Sequence, residues 1–450
     1  MAARFRFALA LPLAVLLALV LAPPPAAARV FDPETFTLAN GMQVVVITNR
    51  RAPIVSHMVW YRVGSADEVQ GRSGIAHFLE HLMFKGTREV GPGEFSRIVQ
   101  RNGAQNNAFT SFDYTGYYEN VARDRLEVMM RLEADRMANL SLAENEVLSE
   151  RDVILEERRQ NIDSRPGARL SEQLGAALYL NHPYGRPIIG WLHEMQTLTR
   201  EDALAWYQRW YTPNNAILIV AGDISAAELR PLAERYYGAI PSRPVPQRLR
   251  PQEPPPQAER RVTLRDPRVA QPEFSRAYLA PGRHSPGQEH SYALEVLADI
   301  LGGGQTARLA RTLVMDRELA VGAGAYYDAD AVDTTSFSLR VNARPGVDIA
   351  AVETAVEEEL ARVVRDGVTA DEVARSIARM QAAAVLGRDS IPNAARVFGE
   401  VLSTGGTVDD VEAWPDRIAA VTADQVNAAA RAILRPERSA TGLLLPQQQQ

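Results

Sequence analysis

The chain has 450 residues, about three times the roughly 150-residue norm for one domain, so two or three domains are expected and a lone small module is excluded. Its 46% apolar and 23% charged composition suits large buried cores and excludes a disordered or collagenous chain. Lys and Arg total 49 against 55 Asp and Glu, a net charge of −6 with no pull on nucleic acid; zero cysteines exclude disulfides, thiolate metal sites and a catalytic cysteine.

In chain order, Arg4 and Arg6 precede a run without polar side chains from Phe7 to Ala22, followed by prolines and Ala26-Ala27-Ala28. This layout predicts a signal peptide over residues 1–28, cut before Arg29, because the run is shorter than the about 20 residues that span a bilayer as a helix. A periplasmic or secreted bacterial protein is expected, with no stable membrane span after leader cleavage. Asn40-Gly41 predicts a hairpin with a two-residue type I′ turn. A strand is expected from Ile54, helices around 73–84, 93–102, 123–138 and 143–162, and a strand near Ala216–Val220.

Residues 241–259 are crowded with proline and predict an extended linker. They separate a first half, 29–240, from a second, 260–446, with a polar tail at 447–450. A weak internal repeat links the halves: Thr199 matches Thr422, Glu201 matches Asp424 and Pro213 matches Pro436 at one offset. Each set predicts a capped helix and a proline-broken turn into a strand. Strands and helices mix without strict alternation, so an α+β fold is expected: two structurally related halves, each a mainly antiparallel sheet packed with helices.

The chemistry concentrates in Ser73 to Gly86, read as a short helix that Ser73 caps and Gly86 ends. His77 and His81 stand at i and i+4, so both imidazoles leave one face and can converge on one metal ion. Glu80 lies beside them, placed to take a proton from water activated by such an ion. The order H-x-x-E-H occurs among zinc peptidases. A catalytic zinc usually has three protein ligands, and without cysteine the third must be Glu, Asp or His. The helix Glu144 to Asn161 offers Glu150 and Glu157 two turns apart, with Val153 and Ile154 between them on a core-facing stripe, and Glu156 rotated off it. Periodicity leaves two readings of these acids open: metal or metal-orienting groups, or ion-pair partners of Arg151 and Arg158.

HFLEH followed by ERDVILEE, with 76 positions from His81 to Glu157, resembles the pitrilysin/insulinase family of zinc peptidases. The likeness is greatest to the branch that includes the zinc-bearing β subunit of mitochondrial processing peptidase and its bacterial relatives. It runs from about Phe36 through Asp223 and more weakly through the second half. The resemblance implies one Zn²⁺ per chain held by His77, His81 and Glu157, Glu80 as general base, and Glu150 orienting a ligand. It implies a clamshell cavity between a zinc-binding half, 29–240, and a related half without the metal motif, 260–446. It also implies that Asn107, Ala108 and Phe109 lie on an exposed edge strand to which a peptide substrate adds, with Asn107 bonding to substrate and Phe109 lining a pocket.

The chain departs from the family where a helix after a glycine-rich turn usually presents an Arg and, seven residues later, a Tyr. The turn Leu301–Gly304 and a helix from Thr306 to Arg317 are expected, but Val314 and Val321 occupy the two positions. Neither donates a hydrogen bond. A lost transition-state donor commonly costs 10² to 10³ in rate, so a second, related chain lacking H-x-x-E-H is expected to supply the pair in a heterodimer; the other reading is a branch that tolerates valine and works slowly. The alternative within the same fold is a non-catalytic peptide-binding or assembly subunit. A zinc store or carrier would show a His-rich tract, and none is present; His57, His182, His193, His284 and His290 are scattered and read as core or surface residues.

Overall fold

A computed structural model describes residues 30–447. The expected leader and Gln448–Gln450 of the polar tail lie outside the described residues. Two mixed sheets dominate. The first contains β1 (Glu34–Thr37), β2 (Gln43–Thr48), β3 (Ile54–Tyr61), β4 (Gln105–Thr110), β5 (Thr115–Ala122) and β6 (Ala216–Gly222), in the order β1-β2-β6-β3-β5-β4. The second contains β7 (Arg260–Asp266), β8 (Glu273–Ala280), β9 (Ala320–Tyr327), β10 (Thr335–Ala343) and β11 (Ser439–Pro446), in the order β7-β11-β8-β10-β9. Only β2–β6 and β7–β11 are parallel pairs; the other neighbours are antiparallel. β6 is apolar at every position and fully buried, as a central strand covered on both faces requires.

The repeat is structural. Removing β1 aligns β2-β6-β3-β5-β4 with β7-β11-β8-β10-β9, with the parallel pair at the same place. Thr199 and Thr422 both form capping boxes, with Asp202 and Gln425, and Pro213 and Pro436 both open a 3-10 turn leading into β6 and β11. The halves also interlock. Helix Pro166–Leu178 from the first half lays Leu170, Leu174 and Leu178 on Ala277, Leu279, Ala440 and Leu444 of the second sheet. Helix Ile391–Ser403 from the second half covers Val45, Trp60, Ile217 and Ile219 of the first. Its Gly399 admits the Trp60 ring, which a Cβ there would meet at 2.0 Å.

Four local expectations need correction. The first hairpin pairs Leu38 with Met42 around residues 39–41, with Gly41 at φ +89°, so its loop is longer than the two-residue type I′ turn. Ser73 does not cap the helix Ile75–Leu82; its hydroxyl accepts from Trp191 N at 2.9 Å. Glu68 instead accepts the N–H groups of Gly74 and Ala76, at 3.1 and 3.0 Å. Val153 is 47% exposed, so the buried stripe of the helix Glu144–Arg158 runs through Val147, Glu150, Ile154 and Arg158. The segment after Gly304 is a π-helical turn, Ala310–Asp316, instead of a regular helix from Thr306.

Candidate metal centre

Helix Ile75–Leu82 buries Ile75, Ala76, Phe78, Leu79 and Leu82, and this leaves His77 and His81 on its less buried side. Helix Glu144–Arg158 brings Glu157 against them. One ligand atom from each of His77, His81 and Glu157 lies within 4.8 Å of the other two. Glu157 Oε2 is 3.6 Å from His77 Nε2 and 3.4 Å from His81 Nε2. Ligands about 2.0–2.1 Å from a tetrahedral zinc stand about 3.4 Å apart, so the spacing suits one ion. Glu157 Oε2 is buried and makes no hydrogen bond among the described residues, an orphaned acceptor of the kind a cation satisfies. The imidazole and carboxylate donor set is one that zinc accepts, so the residues fit the ion that the sequence implies.

Neighbouring groups contact these side chains. His81 Nδ1 contacts Glu150 Oε1 at 2.8 Å, so His81 Nε2 is the nitrogen left facing Glu157. Lys85 pairs with the other oxygen of Glu150. Thr110, at the end of β4, donates its hydroxyl to Glu80 Oε2 at 2.6 Å. The alternative partners weighed for the acids are occupied elsewhere: Arg151 donates to Leu198 O, and Arg158 grips Glu172. Glu156 points to solvent and pairs with Arg159, as its rotation off the stripe implies.

Burial, aided by the neighbouring His81 charge, pushes the His77 pKa down to about 4 and keeps that ring neutral at pH 7. Burial acts the same way on His81, but the hydrogen bond to Glu150 and the neighbouring Glu157 and Glu80 carboxylates outweigh it and push its pKa up to about 9. Burial raises the Glu80 pKa against the Thr110 hydrogen bond, which favours the carboxylate. The upward direction makes Glu80 a stronger base than a solvated carboxylate.

These side chains open on a cleft of about 1020 Å³ whose wall includes His77, Glu80, Ala108, Phe109, Thr110 and Glu157. Among the described residues β4 is an edge strand paired only with β5. Asn107 is exposed, and its Oδ1 accepts the N–H of Ala108 at 2.9 Å. Phe109 rests against Trp60, ring centroids 4.8 Å apart, across a gap that Gly116 leaves open. Val314 packs half-buried on the second core, while Val321 is 54% exposed on β9. Among the arginines near them, Arg308 is bound to Glu372 and Arg317 to Glu358.

The other histidines behave as core or surface groups. Both nitrogens of buried His57 are engaged, by Glu119 at 2.7 Å and Tyr237 at 2.8 Å. His182 is buried beside Asp333, and His193 and His284 are exposed. Sequence reasoning missed Glu68, Lys85 and Thr110. Lys85 stands four residues after His81, a usable signal that the ion pair with Glu150 now explains; Glu68 and Thr110 carry none.

Comparison with known proteins extends over both halves. A family model described as "Insulinase (Peptidase family M16)" matches residues 43–191, and one described as "Peptidase M16 inactive domain" matches residues 197–380. Zinc protease PqqE of Helicobacter pylori is 30% identical over 377 residues, covering 82% of this chain and 83% of its own length. A Schizosaccharomyces pombe protein named "Probable mitochondrial-processing peptidase subunit beta" is 35% identical over 207 residues, 46% of this chain and 45% of its own. The crystal structure of a protease from Helicobacter pylori superposes with a TM-score of 0.87 at 28% identity, covering 92% of this chain and all of that one. With sequence, fold and both halves in agreement, the chain belongs to the insulinase, or pitrilysin, family of peptidases, family M16.

Proposed function

We propose that this chain is a zinc-dependent endopeptidase that hydrolyses extended peptides or unfolded segments. The observation that carries the reading is the convergence of His77, His81 and Glu157 around an orphaned Glu157 oxygen, with Glu80 and the edge strand β4 on the same cleft. His77, His81 and Glu157 would hold one Zn²⁺, in the half spanning 29–240, and Glu150 would orient His81. A bound zinc supplies Lewis acidity that polarises a carbonyl and acidifies water.

The chain's own residues do the rest. The exposed edge of β4 offers main-chain groups to a substrate strand, and the Ala108 N–H that Asn107 now covers becomes available once that side chain yields. Asn107, Ala108 and Phe109 thus form the substrate-binding stretch. Glu80 takes the proton of the attacking water and returns it to the departing amine, while the Thr110 hydroxyl fixes one of its oxygens. Glu80→Gln should retain zinc and lose turnover. A chelator should abolish cleavage in the parent chain and added zinc restore it; cleavage that survives metal removal would refute the reading.

Val314 and Val321 leave this chain without the Arg/Tyr donors, and we propose a related partner chain that supplies them across the cleft. Full activity of the purified chain alone would overturn that heterodimer. The layout of residues 1–28 supports export to the periplasm or medium, which recovery of a mature chain starting near Arg29 would establish.

A further inference from the structure

Apart from His77, Glu80 and Glu157, the charged side chains lining the metal cleft are Arg165, Glu172 and Arg340. Glu172 is neutralised by Arg158, whose Nη1 and Nη2 donate to its two oxygens at 2.8 and 3.0 Å. Arg340 comes from β10 of the second sheet. Its Nη2 donates to Ser171 Oγ at 2.9 Å and its Nε lies 3.1 Å from Glu273 Oε1, yet its side chain stays 47% exposed. Arg165 is exposed, and its guanidinium has no hydrogen-bond or ion-pair partner among the described residues.

The Arg165 backbone is nevertheless fixed. It follows the π-helical turn Arg159–Asp163, donates its N–H to Ile162 O at 3.0 Å, and precedes Pro166, with φ −112° and ψ 105°. A residue before proline is confined to such extended angles. Two arginines, one from each half of the protein, therefore face a cleft in which the only acid outside the metal centre is already paired.

We propose that Arg165 and Arg340 form a carboxylate-recognising subsite, so that the cleft selects extended peptides carrying Asp or Glu close to the bond that is cut. This rests on the peptidase reading and adds the substrate class. An Arg guanidinium presents paired donors that match a carboxylate, and a free guanidinium in a cleft gives up little on engaging one. Arg165 contributes most of the selectivity, because Arg340 is already shared with Glu273.

The test uses end-blocked peptides that differ only in carrying Glu, Gln or Lys at each of the three positions on either side of the cleaved bond. Binding is read by fluorescence anisotropy on the zinc-loaded Glu80→Gln chain, and kcat/KM on the zinc-loaded parent, each with and without Arg165→Glu. At one or two positions Glu should be favoured over Lys by about tenfold, declining in high salt. Arg165→Glu should reverse that order while the Gln peptide changes by less than about twofold, an inversion that structural damage does not produce. Equal treatment of Glu and Lys by the parent, or an order unchanged by Arg165→Glu, would overturn the subsite. Charge-ordered binding with no cleavage by the parent, either alone or with a related partner chain added, keeps the subsite and counts against hydrolysis; cleavage without charge order does the reverse.

Discussion

Glu150 Oε1 stands 2.8 Å from His81 Nδ1, and this contact decides which imidazole nitrogen faces Glu157. Glu150 is itself steadied by Lys85. Removing its charge leaves the first set of donors intact but lets the ring turn and weakens the basicity of Nε2. Glu150→Gln should lower zinc affinity about 10- to 100-fold, measured by competition with a chelating dye. An unchanged affinity would show that the carboxylate does not orient the ligand.

Thr110 couples the edge strand β4 to Glu80, since the hydroxyl that ends β4 donates to the carboxylate at 2.6 Å. Thr110→Val keeps the shape and removes the donor. A hydrogen bond to a charged group contributes about 1.5–3 kcal/mol, so kcat should fall by about 10- to 100-fold with zinc content unaltered. Loss of zinc in this variant would mean that Thr110 supports the metal helix instead of the base.

The parts of the centre legible in the sequence were those set by one helical turn. His77, Glu80 and His81 share a turn, so their common side follows from 3.6-residue geometry alone. Glu157 was not legible that way: the buried stripe of its helix passes through Glu150 and Ile154, and Glu157 sits at its edge, so only the family resemblance distinguished it. The repeat was readable because caps and proline turns are local signals, whereas the exchange of helices between the sheets was not. Leu170 and Leu174 read as an ordinary apolar face, and nothing in their spacing says which sheet they cover. Glu68 and Thr110 act across loops, where pattern carries no information about partners.

The proline-rich segment 241–259 contains no helix or strand and reads as a passive tether, yet Arg250 within it is buried in an ion cluster joining both halves. Its guanidinium pairs with Asp67 at 2.9 Å, with Asp113, and with Asp333 at 3.0 Å, while Tyr184 donates to Asp113 at 2.6 Å. Removing the cation leaves Asp67 and Asp113 buried without their compensating charge. Arg250→Met should therefore destabilise the chain by about 3–5 kcal/mol in urea unfolding. A loss below about 1 kcal/mol would show that Arg248, which also reaches Asp67, takes over the pairing.

Arg308 lies near the positions where the family places its substrate-contacting Arg, but here it serves the fold. Its Nε and Nη2 donate to Glu372 at 2.7 and 2.8 Å, and Glu372 also closes the capping box of helix Ala370–Gly387 with Thr369. The Arg308 hydrogen bonds hold the Glu372 pKa down at about 2. A carboxyl group whose pKa is depressed by folding stabilises the folded state above its unfolded pKa, near 4.5, and loses that contribution as pH falls through about 2. Glu372→Gln should thus be less stable than the parent at pH 7 by about 1–2 kcal/mol, reduced from the full pKa shift because solvent screens the pair. The gap should close progressively between about pH 4.5 and pH 2 in thermal melts. A difference that stays constant across that range would show that the Glu372 charge does not contribute and leave Arg308 free to meet substrate.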